Sequence, residues 1–391
     1  MARRPNSRNN RKGAIIVLSA FMMVIMVILL AFAIDVGYIA NVRTEAQRCA
    51  DAAALAAAWD MIGDDRLSGD YTVVYTRARQ KAVDFASRNK VGTTKNPTLK
   101  HNLFNGDSNG DILLGRLDNS AQGNLSLVDP TEYNAVQVRV RCTADRNQQS
   151  PLFFGRIVGR KFFNMEATAT AVFTDSIRGF RASENGPDSS LLPFALKRED
   201  WVSQVLDGAG SDNWSCKDGS VTAEYDGIPE LRLYPMKKKD EIDDGNTGAG
   251  NWGTIDIGGS DNSAADLVRQ IERGPNADDL EHYDGKFILD DITGTLDVNG
   301  DTGISVGVAA AIGKIVGKPR TIPLYTELEG TGNNAMYTLV GFVGIRIVDY
   351  KLTGKDKYVL IQPAYVFDPT AIAGTGPGVS YFVGHPVHLA R

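Results

Sequence analysis

Apolar residues are concentrated in one early stretch. Residues 13–34 run for 22 positions with no charge and a single hydroxyl, Ser19. A bilayer core about 30 Å thick is crossed by roughly 20 apolar residues in a helix, so the stretch is long enough to span. The helical pattern does not end at Asp35, the first charge. It continues through Val36, Ile39, Ala40, Ala46, Ala50, Ala53 and Ala57, with no proline and only Gly37 as a weak point. An unbroken helix over 13–59 is roughly 70 Å long at 1.5 Å per residue. About half would lie in lipid, and half would project as a stalk. The run 50–58, Ala-Asp-Ala-Ala-Ala-Leu-Ala-Ala-Ala, lets backbones approach closely. It offers a face to another helix or to a second copy of the chain.

Beyond the stalk the pattern changes. Val74, Tyr75, Ala78, Ala82, Phe85 and Ala86 recur at steps of three and four and predict an amphipathic helix over 71–89. Strand signals follow at 112–117, 135–142 and 167–173. In the second, Val136, Val138, Val140 and Cys142 face one way and Gln137, Arg139 and Arg141 the other. Residues 151–159, Pro-Leu-Phe-Phe-Gly-Arg-Ile-Val-Gly, read as a buried helical turn. Residues 181–190 have linker composition. After them the pattern is mostly β, with strand candidates at 231–234, 287–289, 321–325, 336–350 and 358–366 and helical segments at 263–273 and 306–316. The run 337–348 is apolar on both faces and predicts a central strand, in which Gly341 and Gly344 mark a bulge or bend.

Charge gives the apolar stretch a direction. Arg3, Arg4, Arg8, Arg11 and Lys12 precede it with no acid among them, whereas charges are mixed past Asp35. The positive-inside rule then puts residues 1–12 in the cytoplasm and everything after Asp35 outside the cytoplasmic membrane. Ala31-Phe32-Ala33 has the form of a signal-peptidase site. The apolar run is longer than an ordinary signal sequence, however, and the helix continues through that point, which argues for a retained single-pass anchor.

Composition narrows the remainder. With 43% hydrophobic and 23% charged residues the outer part should fold. Removing the anchor leaves roughly 350 residues, enough for two domains. Forty glycines point to turns and β-structure. The net charge is −5, and Lys237-Lys238-Lys239 is the one basic cluster past the arm, so no nucleic-acid partner is expected. Cys49, Cys142 and Cys216 are odd in number and widely spaced, which is no disulfide framework. They read as three separate structural or free thiols, with a Cys142–Cys216 bridge as the alternative.

Asp35-Val36-Gly37-Tyr38 at the end of the span, followed by Ala50-Asp51-Ala52-Ala53-Ala54-Leu55-Ala56, resembles the N-terminal segment of the Flp pilus-assembly TadE/TadG-like family. That match covers residues 11–59. A looser likeness in 111–118, 134–140, 152–154 and 167–170 extends it to residue 174. Prepilin-type substrates are cleaved after a Gly and carry Glu five residues on. Here Leu18 stands five after Gly13, so the chain is closer to the unprocessed, TadG-like branch. The resemblance implies Asp35, Gly37, Ala50, Asp51, Ala52, Ala53 and Leu55 as family residues, and other pilus-assembly or secretion proteins as partners.

Candidate chemistry is sparse. Asp107, Asn109 and Asp111 alternate as calcium ligands do, and Asp118 falls at the twelfth position. Ile112 stands where a calcium loop needs Gly, however, and an Asx-rich turn is the simpler reading. Asp301-Thr302-Gly303 is a lone aspartic-protease triplet without a second, and 297–303 reads as a turn. Gly307 to Lys314 imitates a phosphate loop but ends Gly-Lys-Ile, without the hydroxyl that holds magnesium. His385 and His388 lack further metal ligands nearby. No catalytic residue, cofactor or metal is expected.

These readings combine into an α+β protein. It has a cytoplasmic arm (1–12), a transmembrane helix (13–34), a stalk helix with a small α+β domain (35–180), a linker (181–190) and a larger, mostly-β extracytoplasmic domain (191–391). Its expected role is that of a membrane-anchored, non-enzymatic structural or accessory protein of Flp/Tad-type pilus assembly or secretion. It would contact lipid and other assembly proteins, with the Ala-rich helix open to self-association. The alternative is an anchored extracytoplasmic binding or adhesion protein not tied to pili.

Overall fold

The computed structural model describes residues 12–118, 124–183, 189–234, 250–259, 263–302, 306–330, 332–354, 356–374 and 379–390. The four arginines of the basic arm, residues 184–188 of the linker, the Lys237–Lys239 triplet and Gly303 lie outside the described residues.

One helix, α1 (Lys12–Asp60), runs without a break through Gly37. Burial divides it at Asp35. From Ile15 to Ile34 the side chains are exposed, with only Ile25 and Ala31 half-buried. From Asp35 onward, positions 35, 42, 46, 49, 50, 53, 54, 57 and 58 are buried, mostly at helical steps of three and four. The first half is long and apolar enough to cross a membrane by length and composition. The second half is the central helix of a folded unit.

That unit forms around α1. A short helix, α2 (Asp64–Leu67), precedes α3 (Tyr71–Ser87), whose first turn is capped by the Asp70 carboxylate accepting the Val73 N–H at 3.1 Å. Strands β1 (Ile112–Gly115) and β2 (Ala135–Cys142) follow, then a small hairpin of β3 (Ser150–Pro151) and β4 (Phe162–Phe163), then β5 (Met165–Thr174). β1, β2 and β5 pair antiparallel, with Val136 opposite Ala171 and Val138 opposite Ala169. The alternation expected of β2 holds: Val136, Val138, Val140 and Cys142 are buried, and Gln137, Arg139 and Arg141 half-buried. Both surfaces that meet here are lined by alanine. Ala46, Ala50, Ala53 and Ala57 of α1 share a core with Ala78 and Ala82 of α3 and with Ala167, Ala169 and Ala171 of β5. Small side chains on both sides let helix and sheet close up without voids. The alanines available on paper to another copy are therefore mostly covered by the chain itself. Ala52, Leu55 and Ala56 remain half-buried on the outer side.

The second unit is larger and mostly β. In chain order its strands are β6 (Ile177–Arg181), β7 (Phe194–Lys197), β8 (Ser215–Lys217), β9 (Ser220–Thr222), β10 (Leu231–Leu233), β11 (Trp252–Ile255), β12 (Lys286–Ile288), β13 (Leu296–Asp301), β14 (Arg320–Glu329), β15 (Ala335–Lys351) and β16 (Tyr358–Pro363). Pairings run β14–β15–β13–β11–β7 and back to β14, so five strands close into a ring. β15 is its longest member and is buried on both faces, as the apolar run predicts. Its register against β14 slips opposite Leu324 and Tyr325, next to Gly341. A Cβ at Gly344 would strike the carbonyl oxygens of Ala364 and Phe382, so that glycine permits a close backbone approach. Helices α4 (Arg198–Trp201) and α7 (Ala309–Ile315) pack on strands of the ring, α5 (Ala264–Arg273) packs on α7, and α6 (Ala277–Glu281) packs on β12. Residues 297–301 form strand β13 rather than the expected turn, because Val298 and Gly300 alternate inward beside Tyr337.

The chain then returns to its start. The expected strand at 358–366 breaks at Ala364 and Tyr365 into β16 and β17 (Val366–Phe367), followed by β18 (Ala371–Ala373), β19 (Val379–Tyr381) and β20 (Val383–Leu389). β20 pairs with β5, setting His388 opposite Val172, and β17 pairs with β20, so both join the first sheet. A second tie is electrostatic. Buried Arg346 of β15 forks onto both carboxylate oxygens of Asp64 in α2 and donates to the Cys216 carbonyl at 3.4 Å. Burial works against that charge, and Asp64 more than offsets it.

All three cysteines are free and buried, and burial pushes the Cys49 thiol up to about 12. In the native protein none of the three should react with iodoacetamide at neutral pH, and all should after denaturation; mass spectrometry of the alkylated chain reads this. Alanine-on-alanine packing makes a second prediction. Ala53→Leu should cost about 1–3 kcal/mol by overpacking, read as a lowered urea midpoint in detergent, whereas half-buried Ala52→Leu should move it much less.

Candidate functional site at the end of the apolar span

Asp35 sits where the exposed half of α1 gives way to the buried half, and it is 6% exposed. A carboxylate in that position must find donors. They come from far along the chain. The β3–β4 hairpin carries a loop, residues 152–161, closed by the Leu152 N–H donating to the Lys161 carbonyl at 2.9 Å. Three successive N–H groups of this loop donate to Asp35: Phe153 at 2.9 Å, Phe154 at 3.1 Å and Gly155 at 2.7 Å. Hydrogen bonds to an ionised acceptor are about twice as strong as neutral ones. Gly155 is needed for this arrangement, because a Cβ there would come within 2.8 Å of the Arg160 carbonyl and 2.6 Å of the Leu152 side chain.

The loop corrects an expectation. Residues 151–159 contain a helical turn, Gly155–Val158, but it is not buried. Phe153 is 59% exposed, Ile157 82% and Val158 80%. An apolar run of this composition reads as core. Here, tethering of its backbone to Asp35 keeps its side chains outside the core. The ring of Tyr38 stands 5.1 Å from that of Phe153 and 6.1 Å from that of Phe163, so the hairpin also packs on α1 one turn past Asp35. Two more ties follow along the helix. Glu45 accepts the Gly92 N–H at 2.7 Å, and Gln47 donates to the Thr168 carbonyl at 3.1 Å.

The other residues that the resemblance implied divide by face. Ala50 and Ala53 are fully buried against α3 and β5. Asp51, Ala52 and Leu55 are half-buried, and Asp51 accepts from Gln47 at 2.8 Å. Gly37 is exposed, and a Cβ there would meet nothing, so packing within this chain does not require glycine.

The calcium candidates do not converge. Asp107 closes an Asx turn on the Asn109 N–H at 2.8 Å. Asp111 accepts the Lys100 N–H at 2.9 Å and faces Arg141 and Arg146 at 3.3 Å each. Asp118 pairs with Arg116 at 2.9 Å. Among the described residues no group of three or more His, Cys, Asp or Glu is arranged to hold a metal. Lys314 pairs with Glu272 at 2.6 Å, and the rings of His385 and His388 stand edge to face at 5.8 Å. Sequence reasoning missed the Asp35 acceptor role, the Tyr38–Phe153 contact and Arg346. The clue to the first was Phe-Phe-Gly flanked by Arg156, Arg160 and Lys161, with no acid from 150 to 163.

Replacing Asp35 by Asn removes the charge from three hydrogen bonds, each of a class contributing about 1.5–3 kcal/mol. Asp35→Asn should loosen the loop, so that trypsin cuts after Arg156 and Arg160 faster than in wild type with the far-UV spectrum unchanged. An unaltered cleavage rate would mean that the carboxylate does not hold the loop.

Comparison with known families adds identity to this geometry. Residues 13–60 match the TadE/G-like Flp pilus-assembly family model, and residues 45–171 match the Tad-like Flp pilus-assembly model. The two overlap on the buried half of α1, which joins the apolar segment to the sheet. Both are pilus-assembly families rather than enzyme families. No curated protein and no solved structure matches the chain. Residues 13–171, from the start of the apolar helix into β5, thus match the TadE/G-like and Tad-like Flp pilus-assembly families.

Proposed function

We propose that this chain is a single-pass, membrane-anchored structural protein of Flp/Tad-type pilus assembly or of its secretion channel. It works through protein contacts rather than catalysis. One observation carries the reading: the segment matched as TadE/G-like is a single helix with two environments. Its first half exposes an uncharged apolar surface all round, which water does not tolerate and lipid does. Its second half is the core of a folded unit. The basic arm supports an orientation with residues 1–12 in the cytoplasm and both folded units outside it. The second unit, which lies beyond both family matches, is then the part presented to other assembly proteins.

The test uses the native protein in the cell that makes it. It should stay in the membrane fraction through a carbonate wash, with the segment 13–34 intact by mass spectrometry. External protease should reach the second unit in spheroplasts and spare a tag on the basic arm. Loss of the gene should remove surface pili, and a copy lacking 13–34 should not restore them. Unchanged piliation without the gene overturns the assembly role, and release by carbonate overturns the anchor.

A further inference from the structure

An exposed apolar tip is costly in water unless something covers it. The 152–161 loop presents Phe153, Phe154, Ile157 and Val158 outward, each at least 38% exposed. Gly159, at φ +83°, makes the left-handed turn that closes the tip. Around these side chains stand Arg156, Arg160 and Lys161, all exposed and with no ion-pair partner among the described residues. The hairpin from Ser150 to Phe163 contains no acid.

We propose that this loop is a second membrane contact: its apolar tip enters the headgroup layer beside α1, and its three basic side chains meet lipid phosphates. The proposal rests on the reading of 13–34 as a membrane span. Three observations choose lipid as the occupant. The first is level. The loop backbone is bonded to Asp35, the residue at which the uncharged span ends, so the loop stands within about one helical turn, 5.4 Å, of the interface. The second is continuity. The exposed apolar surface of α1 reaches Ile34, and the Tyr38–Phe153 ring contact carries it into the loop. The third is charge. Apolar side chains flanked by Arg and Lys alone suit a phosphate layer, into which the basic chains reach while the tip is buried. Contact at two points, one a helix and one a loop on the same rigid unit, would fix the tilt of both folded units against the membrane.

Nitroxide labels on the full chain in vesicles of phosphatidylcholine with phosphatidylglycerol test this. The native cysteines are buried, so single introduced cysteines carry the label. Four variants suffice: Ile157→Cys and Val158→Cys in the loop, Phe32→Cys in the span, and Val128→Cys at an exposed site of the folded unit. Collision with oxygen, which concentrates in lipid, is compared with collision with a water-soluble nickel chelate. Both loop sites should shift from the Val128 ratio toward the Phe32 ratio. Loop sites matching Val128 while Phe32 reports lipid would overturn the loop contact and leave the anchor standing. Water at Phe32 would overturn the anchor and this proposal together. Loop sites shielded from both reagents, with spin–spin broadening, would mean that a second copy covers the tip, and the lipid contact would be wrong.

Discussion

Everything in this molecule hangs on a carboxylate placed where an uncharged helix stops. Asp35 cannot lie among apolar side chains without donors, and nothing on its own helix can supply them, because helical N–H groups are already used. It takes three from a loop more than a hundred residues away. That choice fixes the rotation and height of α1 against the folded unit. A helix joined to its domain only by apolar contacts could slide or turn by a residue. A charge held by three directed bonds does not permit it.

The alanine face works with that constraint. Small side chains on α1, α3 and β5 bring three backbones close, and close packing leaves little room to relax. Such an interface is precise but contributes little apolar area per residue, so directed ties matter more than they would in a leucine-rich core. Glu45 on Gly92, Gln47 on Thr168 and the Asp35 bonds supply them along successive turns of one helix. Asp35, Ala50 and Ala53 then have a shared physical meaning. One sets the register, and the others permit the approach that the register requires.

Much of this was legible in the sequence where the signal is local. Twenty-two uncharged residues, the two-residue alternation of β2 and the two-faced apolar run of β15 each declare themselves within a window of ten to twenty positions. The failures share a cause, which is partnership at long range. Residues 151–159 look like core because composition cannot register that their N–H groups belong to Asp35. Residues 297–301 look like a turn because Asp, Asn and Gly favour one, yet pairing with β15 overrides that preference. β20 is interrupted by His385-Pro386 and carries no clean pattern, and only its partner β5 makes it a strand. The Ala run was legible as a packing face, and α3 and β5 of the same chain take most of it.

The return of β17 and β20 to the first sheet changes how the second unit is joined to α1. Had the chain ended in the second unit, the two would be joined by the short connection from β5 to β6 and by side-chain contacts such as Arg346 on Asp64. Instead the last strand lies beside β5, and β5 lies on α1. Load applied to the ring of strands therefore reaches the helix by two backbone routes, β6 running on from β5 and β20 paired alongside it. A backbone ladder resists shear through several bonds at once, whereas Arg346 on Asp64 is a single contact. The second unit is thus doubly connected to α1, whose height and rotation Asp35 sets.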